Sequence, residues 1–231
     1  MTLQNTWSAY WESIDDSQRV FRIEARDYAA RVRRILQPAK SVTVLDFGCG
    51  FGHTACELAP SVGNIALWDA SSNVRRQALE RVRDLGNATM LDLQQADDAG
   101  LRNRFDLILV HSVLQYMSAD EIRDWLTRWR GMLKHDGKLV LSDLLVPGAG
   151  SIGELFSYLM FALKHGFFWN AFTAGVRETA RYWSARKTAP LTVLPRHVLE
   201  SWSSEAGLKL QWLEDNLSHR RTRATAVLRA V

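Results

Sequence analysis

Short apolar runs and amphipathic stretches alternate along most of this chain, and that alternation predicts its architecture. Val42–Phe47, Asn64–Asp69, Ala88–Leu91, Phe105–Val110 and Leu139–Leu145 are β-branched or aliphatic runs of strand length. Between them, Thr54–Leu58, Val74–Leu85 and Ser118–Leu133 carry helical spacing. Ser71 or Ser72 and Ser118 stand where N-caps belong, and Gly86-Asn87 where a helix stops. Lys134–Lys138 reads as a turn. Strands that alternate with helices in this way form a parallel sheet covered on both faces. Right-handed crossovers then bring the C-terminal strand ends to one edge, where ligands bind.

The flanks depart from this rhythm. The first 40 residues read as helical, with Asp15 or Asp16 capping a helix that runs to Leu36 and stops before Pro38. From Pro147 to about 195 the alternation lapses into a helical, aromatic-rich segment containing Phe156, Tyr158, Phe161, Phe167, Phe168, Trp169, Phe172, Tyr182 and Trp183. Arg196–Ala206 is a helix ended by Gly207, and Lys209–Asp215 and Thr222–Leu228 are close enough in sequence to pair as an antiparallel hairpin at the sheet edge. The expected organisation is one domain: a helical lid (1–40), a core (41–146), a helical cover (147–195) and a closing helix and hairpin (196–231).

Composition adds limits. With 231 residues, 47% hydrophobic and 23% charged, a sizeable core is expected and disorder is not. The net charge of +4 is mild, and the densest basic stretches, Arg31–Arg34 and His219–Arg223, read as solvated faces. Cys49 and Cys56 are too few for a disulfide framework or a zinc site and read as thiols of a reducing cytoplasm. The N-terminal residues lack the basic and apolar regions of a signal peptide.

The most informative segment is Val44–His53, a strand running into Gly48, Gly50 and Gly52. Glycine lets the backbone turn sharply and lets a ligand come close. Asp69, 23 residues after Asp46 at the end of the next strand, is placed to accept hydrogen bonds from ribose hydroxyls. The loop reads GxGxG rather than the dinucleotide GxGxxG, with His53 where the third dinucleotide glycine falls, and no P-loop sequence occurs.

The segment Leu45–Gly52 resembles the first motif of class I S-adenosylmethionine methyltransferases. Asp69 matches that family's ribose-binding acid. Phe105–Met117 resembles its fourth strand and loop, and Met132–Asp143 its following helix end, turn and fifth strand. The resemblance implies a Rossmann-like α/β fold, a seven-stranded, mostly parallel sheet of order 3-2-1-4-5-7-6, with S-adenosyl-L-methionine as cofactor. It further implies that the backbone of Phe47, Gly48 and Gly50 borders the methionine and ribose, that Ala70 lies beside the adenine, and that Asp92 and Leu93 sit at the adenine edge, with Asp97 competing for that place. The His111 carbonyl falls near the methionine amine. Arg22 would meet the methionine carboxylate, and Tyr10 and Trp11 would close the lid.

Methyl transfer is an in-line displacement in which the protein aligns the partners, and a base is needed only where the acceptor must lose a proton. No metal is required, and no metal-ligand cluster is visible. His111, Tyr116 and Asp143 are the catalytic candidates, each with a structural alternative: pocket lining, packing, or a structural carboxylate. Asp46 either meets the methionine amine and orients the loop or satisfies glycine-loop N–H groups. His165, His197 and His219 read as solvent-exposed.

After the fourth strand stands His111-Ser-Val-Leu, without the Asn/Asp-Pro-Pro-Tyr of adenine and glutamine methyltransferases. That favours a small, apolar or amphipathic acceptor over nucleic acid. Lys164, Arg177, Arg181, Arg186 and Lys187 among the aromatics of 155–187 leave open a peripheral membrane contact and a lipid-linked acceptor. A non-catalytic, cofactor-binding partner subunit is the alternative from another class. A nucleotide-dependent oxidoreductase fits the loop spacing poorly.

Overall fold

The computed structural model describes residues 3–14, 19–93, 98–148, 157, 160, 161, 163–165 and 186–231. Two helices come first, α1 (Leu3–Glu12) and α2 (Arg19–Leu36). They are separate, with Ser13 and Ile14 following α1; the proposed caps Asp15 and Asp16 lie outside the described residues. Then follow β1 (Thr43–Phe47), α3 (His53–Leu58), β2 (Asn64–Trp68), α4 (Ser72–Val82), β3 (Ala88–Met90), β4 (Phe105–His111), α5 (Ala119–Met132) and β5 (Leu133–Leu144). The described chain closes with α6 (Arg196–Glu205), β6 (Leu208–Trp212) and β7 (Ala224–Ala230).

The seven strands form one sheet of order β3-β2-β1-β4-β5-β7-β6. β7 runs antiparallel to both β5 and β6, and the other pairs are parallel. The expected turn at Lys134–Lys138 is instead the first part of β5, whose register against β4 shifts between Phe105 and Leu107. An irregularity absorbed within a strand reads locally as a turn, because the three extra residues of β5 between these pairs break the two-residue period.

Two caps were legible. Ser71 accepts the Val74 N–H at the start of α4. Ser118 and Glu121 form a reciprocal capping box on α5.

Alternation along the strands splits the core into two layers. Leu45, Phe47, Ile108, Val110, Leu139 and Leu141 face α5 and α6 together with Trp129 and Leu199. Val44, Leu107, Leu109, Val140 and Val227 face α2, α3 and α4 together with Tyr28, Val32 and Ala78. The period of two fixes what comes next along each strand. Asp46, His111 and Ser142 point to the second face, under α2, at the C-terminal ends of neighbouring strands.

Candidate functional site

The glycine loop sits where β1 ends. Gly48, Gly50 and Gly52 all have positive φ, at 74°, 53° and 78°. The Gly48 and Cys49 N–H groups both donate to the Trp68 carbonyl, tying the loop to the end of β2. A Cβ on Gly48 would stand 2.3 Å from Val113 Cγ2, so this glycine permits the loop that follows β4 to close against the one that follows β1. A Cβ on Gly50 would meet nothing within 4 Å, so open space adjoins it.

Asp69 follows β2 and faces the loop. Its Oδ2 accepts the Gly50 N–H at 3.0 Å and its Oδ1 the Ser71 N–H at 3.0 Å. Burial raises its carboxyl above the usual range, against the lowering effect of those N–H groups. Each oxygen keeps a second lone-pair direction, so two further donors can still be accepted. Arg75 holds the backbone there by donating to the Asp69 and Ala70 carbonyls.

Asp46 is buried, and its Oδ2 has no hydrogen-bond partner among the described residues. Burial, with the neighbouring Asp69 charge, pushes its carboxyl up to about 7. It does not satisfy the glycine-loop N–H groups: Gly50 bonds to Asp69, and Gly48 and Cys49 bond to Trp68.

The ends of β4 and β5 carry a second cluster. Ser112 and Asp143 adopt positive φ, 60° and 59°, rare for residues with a Cβ and costly unless the surroundings enforce it. What enforces it is a polar network. Ser112 Oγ donates to Asp143 Oδ2 at 2.8 Å, Ser218 Oγ to Asp143 Oδ1 at 2.6 Å, and Arg220 lies 3.4 Å from Oδ2. Arg223 donates to Gln115 Oε1 at 2.6 Å. Burial alone would raise the Asp143 carboxyl, but Arg220, His111, Arg223 and the Ser218 hydroxyl bring it down to about 2. Glu24 of α2 reaches the same cluster, 3.6 Å from His219 Nε2 and 3.9 Å from Arg220.

His111 lies beside this cluster. Its ring stacks on Tyr28 with centroids 3.9 Å apart, and its Nδ1 is 2.9 Å from Ser142 Oγ. Burial, reinforced by Arg220 and Arg223 against Asp143, holds the imidazole down to about 4.

Helix α1 lies across the ligand edge. Glu12 accepts the Ser72 and Asn73 N–H groups at the start of α4. At the other side, Trp7 and Trp11 pack against Tyr116, with ring centroids at 4.7 and 5.9 Å. Ile14, Phe51 and Val74 form a small buried cluster with Tyr10, Trp11 and Phe21, joining α1 to the glycine loop.

The residues expected at the site thus separate. Asp46, Gly48, Gly50 and Asp69 come together, and His111 and Asp143 adjoin them, with Ser142, which the sequence did not single out, beside His111. Phe47 directs its side chain into the core, between Trp68, Trp125 and Trp129. Leu93 is buried in the same core, Asp92 and Ala70 are exposed, and Asp97 lies outside the described residues. Arg22 lines a cavity of about 230 Å³ with His53, Cys56, Glu57 and Arg81, beside the glycine loop, whose Phe51 carbonyl accepts from Arg81. Cys49 and Cys56 are free thiols, as expected. Among the described residues no group of histidines, cysteines and carboxylates is placed to hold a metal.

A second sequence expectation is overturned. His219–Arg223 is not a solvated face: Arg223 is buried, and His219 stacks on Phe161 at 4.1 Å. Arg220, Arg223 and Ser218 were missed as members of the polar cluster, because nothing local in a basic loop signals that it folds inward. Of the 147–195 segment, Phe161 is buried, His165 packs on it, and Met160 and Leu163 are exposed. Most of its aromatics lie outside the described residues, and no described helix is long and apolar enough to cross a membrane.

Residues 45–139 match a family described as a methyltransferase domain. No curated protein matches the sequence. The structure is similar to magnesium protoporphyrin IX methyltransferase from Synechocystis, solved with S-adenosylmethionine bound: TM-score 0.61 at 14% identity, covering 100% of this chain and 98% of that one. It is similar to an S-adenosylmethionine-dependent methyltransferase of Leishmania major, with TM-score 0.62, 11% identity, and 98% and 82% coverage. The YcgJ protein of Bacillus subtilis gives TM-score 0.56 at 19% identity, covering 81% and 70%. At these identities the likeness is one of fold, and the family match lies on the segment that builds the glycine loop. Residues 45–139 thus match a methyltransferase domain, and the sheet around them has the order 3-2-1-4-5-7-6 that the resemblance to class I S-adenosylmethionine methyltransferases implies.

Proposed function

We propose that the protein transfers a methyl group from S-adenosylmethionine to a small, apolar or amphipathic acceptor. The observation that carries this reading is the pairing of a positive-φ glycine loop with Asp69 through the Gly50 N–H, beside the partnerless oxygen of buried Asp46. The residues fit the cofactor. A buried carboxylate oxygen without a donor is costly alone and suits an ammonium group. Open space over Gly50 suits a ligand pressed against backbone. In this reading Asp46 receives the methionine amine, Asp69 the ribose hydroxyls, and the backbone at Gly48 and Gly50 the span between them. The bound cofactor supplies an electrophilic methyl on a sulfonium.

The chain's own residues do the rest. Helix α1, pinned to α4 by Glu12 and to Tyr116 by Trp7 and Trp11, excludes water from the loop. The Asp143 cluster fixes the ends of β4 and β5, so that the acceptor side holds its shape as ligands enter. Buried Phe161, stacked on His219 beside the Asp143 cluster, brings an aromatic ring to that side and favours an acceptor with an apolar body.

Calorimetric titration with S-adenosylmethionine, S-adenosylhomocysteine and NAD tests the reading. Micromolar binding of the two sulfur nucleosides and none of NAD supports it; absence of binding by either sulfur nucleoside refutes it. Slow release of S-adenosylhomocysteine on incubation with pooled small-molecule extracts separates an enzyme from a partner subunit that binds without turnover.

A further inference from the structure

We propose that His111 Nε2 takes the proton from a hydroxyl acceptor, and that Ser142 and Tyr28 set its tautomer; this rests on the methyltransferase reading above. Of the three catalytic candidates, two are engaged otherwise. Tyr116 is packed between Trp7 and Trp11. Asp143 is held by Ser112, Ser218 and Arg220.

His111 differs. Ser142 Oγ donates its single proton to Tyr28 Oη at 3.3 Å. With the hydroxyls in that order, the ring supplies the proton in the 2.9 Å contact between His111 Nδ1 and Ser142 Oγ; the reverse order, Tyr28 donating to Ser142 and Ser142 to Nδ1, would put the proton on Nε2. Protonation at Nδ1 leaves the lone pair on Nε2. No described residue donates a hydrogen bond to Nε2, and His111 as a residue is half-buried. Stacking on Tyr28 fixes the ring plane.

Placement agrees with the role. His111 lies on the same face of the sheet as Asp46, one strand away, where β4 ends against the glycine loop. The charged and titratable groups around it are Asp143 of β5, Arg220 and Arg223 of the β6–β7 connection, His219 beside them, and Tyr28 of α2. Burial with the two arginines keeps the ring neutral at neutral pH, and Asp143 stabilises the imidazolium once a proton arrives.

In the step itself the acceptor O–H bond breaks and its proton passes to Nε2. The oxygen's electron pair forms the new bond to the methyl carbon, whose bond to sulfur breaks with its electrons left on sulfur. The imidazolium then returns the proton to solvent. A carboxylate acceptor has no proton to lose and gains nothing from this base, so the arrangement selects for a hydroxyl.

The test uses the full chain labelled with ¹⁵N in its imidazole rings, with His111→Gln to assign the resonance. The expected result is a neutral ring protonated at Nδ1, with a pyridine-type Nε2, unchanged from pH 8 to about pH 5 and becoming a tautomer mixture in Ser142→Ala. With S-adenosylhomocysteine bound, phenol should move the Nε2 resonance upfield, and benzoate should not. An Nε2-protonated tautomer, an imidazolium at pH 7, or an Nε2 resonance indifferent to phenol would each overturn the proposal. Failure of the wild-type protein to bind S-adenosylhomocysteine in the same tube instead removes the cofactor reading on which the proposal rests.

Discussion

The Gly50 N–H donates to Asp69 Oδ2 across 3.0 Å, tying the crest of the loop after β1 to the first residue past β2. One carboxylate therefore shapes the loop and, in the proposed function, holds the ribose. Asp69→Ala removes both effects. Hydrogen bonds to a charged group contribute roughly 1.5–3 kcal/mol each, so S-adenosylhomocysteine affinity should fall about 10- to 100-fold. Calorimetry reads this directly, and an unchanged Kd would sink the assignment of Asp69 to the ribose.

Gly48 and Gly50 separate steric closure from ligand access. Both have positive φ, so alanine at either is strained by roughly 1–2 kcal/mol. Gly48→Ala also drives a methyl into Val113, whereas Gly50→Ala meets open space. Gly48→Ala should show the larger drop in Tm. Gly50→Ala should fold with a modest drop and still bind cofactor poorly, because its methyl occupies the space a ligand needs. Thermal denaturation beside calorimetry for the two variants checks the contrast.

How much of this was legible in the sequence depended on how local the cause was. The glycine loop, Asp69, the Ser71 cap and the Ser118–Glu121 box are each written within a few residues, and the sheet order followed from the family resemblance. The start of β5 was misread because its register shift looks like a turn. The Asp143 cluster was not readable beyond Asp143 itself. Arg220, Arg223 and Ser218 reach it from 75 to 80 residues away in sequence, and a run of arginines in a loop is usually solvated.

Glu12 tests whether α1 is a lid. It accepts the first N–H groups of α4, and those hydrogen bonds outweigh desolvation and hold its carboxyl below the usual range. Ser71 still caps α4 when Glu12 is removed. Glu12→Ala should therefore cost only about 1 kcal/mol globally. Amide exchange across Leu3–Glu12 should quicken, and S-adenosylhomocysteine should dissociate faster. An unchanged dissociation rate with quickened exchange would mean that α1 packs on the domain without gating it.

Asp46 sets stability against binding. Its folded carboxyl titrates near 7 and an unfolded one near 3.8, so the folded state binds the proton more tightly. The cost of ionising it grows as pH rises from 3.8 to 7 and is constant above. Asp46→Asn should accordingly gain stability over the wild type across that window and keep the gain at pH 8. At roughly 2–4 °C of Tm per kcal/mol for a chain of this size, the gain is measurable. The same variant should bind S-adenosylmethionine more weakly, since the amine loses its anion. A variant stabilised at pH 8 with undiminished affinity would remove Asp46 from the cofactor site.

Acid sensitivity has a separate and opposite source in His111. Its folded ring titrates near 4 and an unfolded one near 6.5, so the unfolded state binds the proton more tightly. The stability this represents is fully present above 6.5 and is lost as pH falls toward 4. His219, held down to about 3 by burial and by Arg220, acts in the same direction over a wider range. Asp143, held near 2, extends the loss below 3.8. Asp46 opposes them between 7 and 3.8, so the wild-type profile alone does not isolate any one group. The difference between His111→Gln and wild type does. Whatever its offset at pH 8, where the variant loses the stack on Tyr28, His111→Gln should gain on the wild type steadily from pH 6.5 down to about 4 and then level off. Urea denaturation at half-unit pH steps gives that difference curve. A flat one would mean that the folded ring titrates as an unfolded one does, which contradicts both its burial and its neutral state at the site.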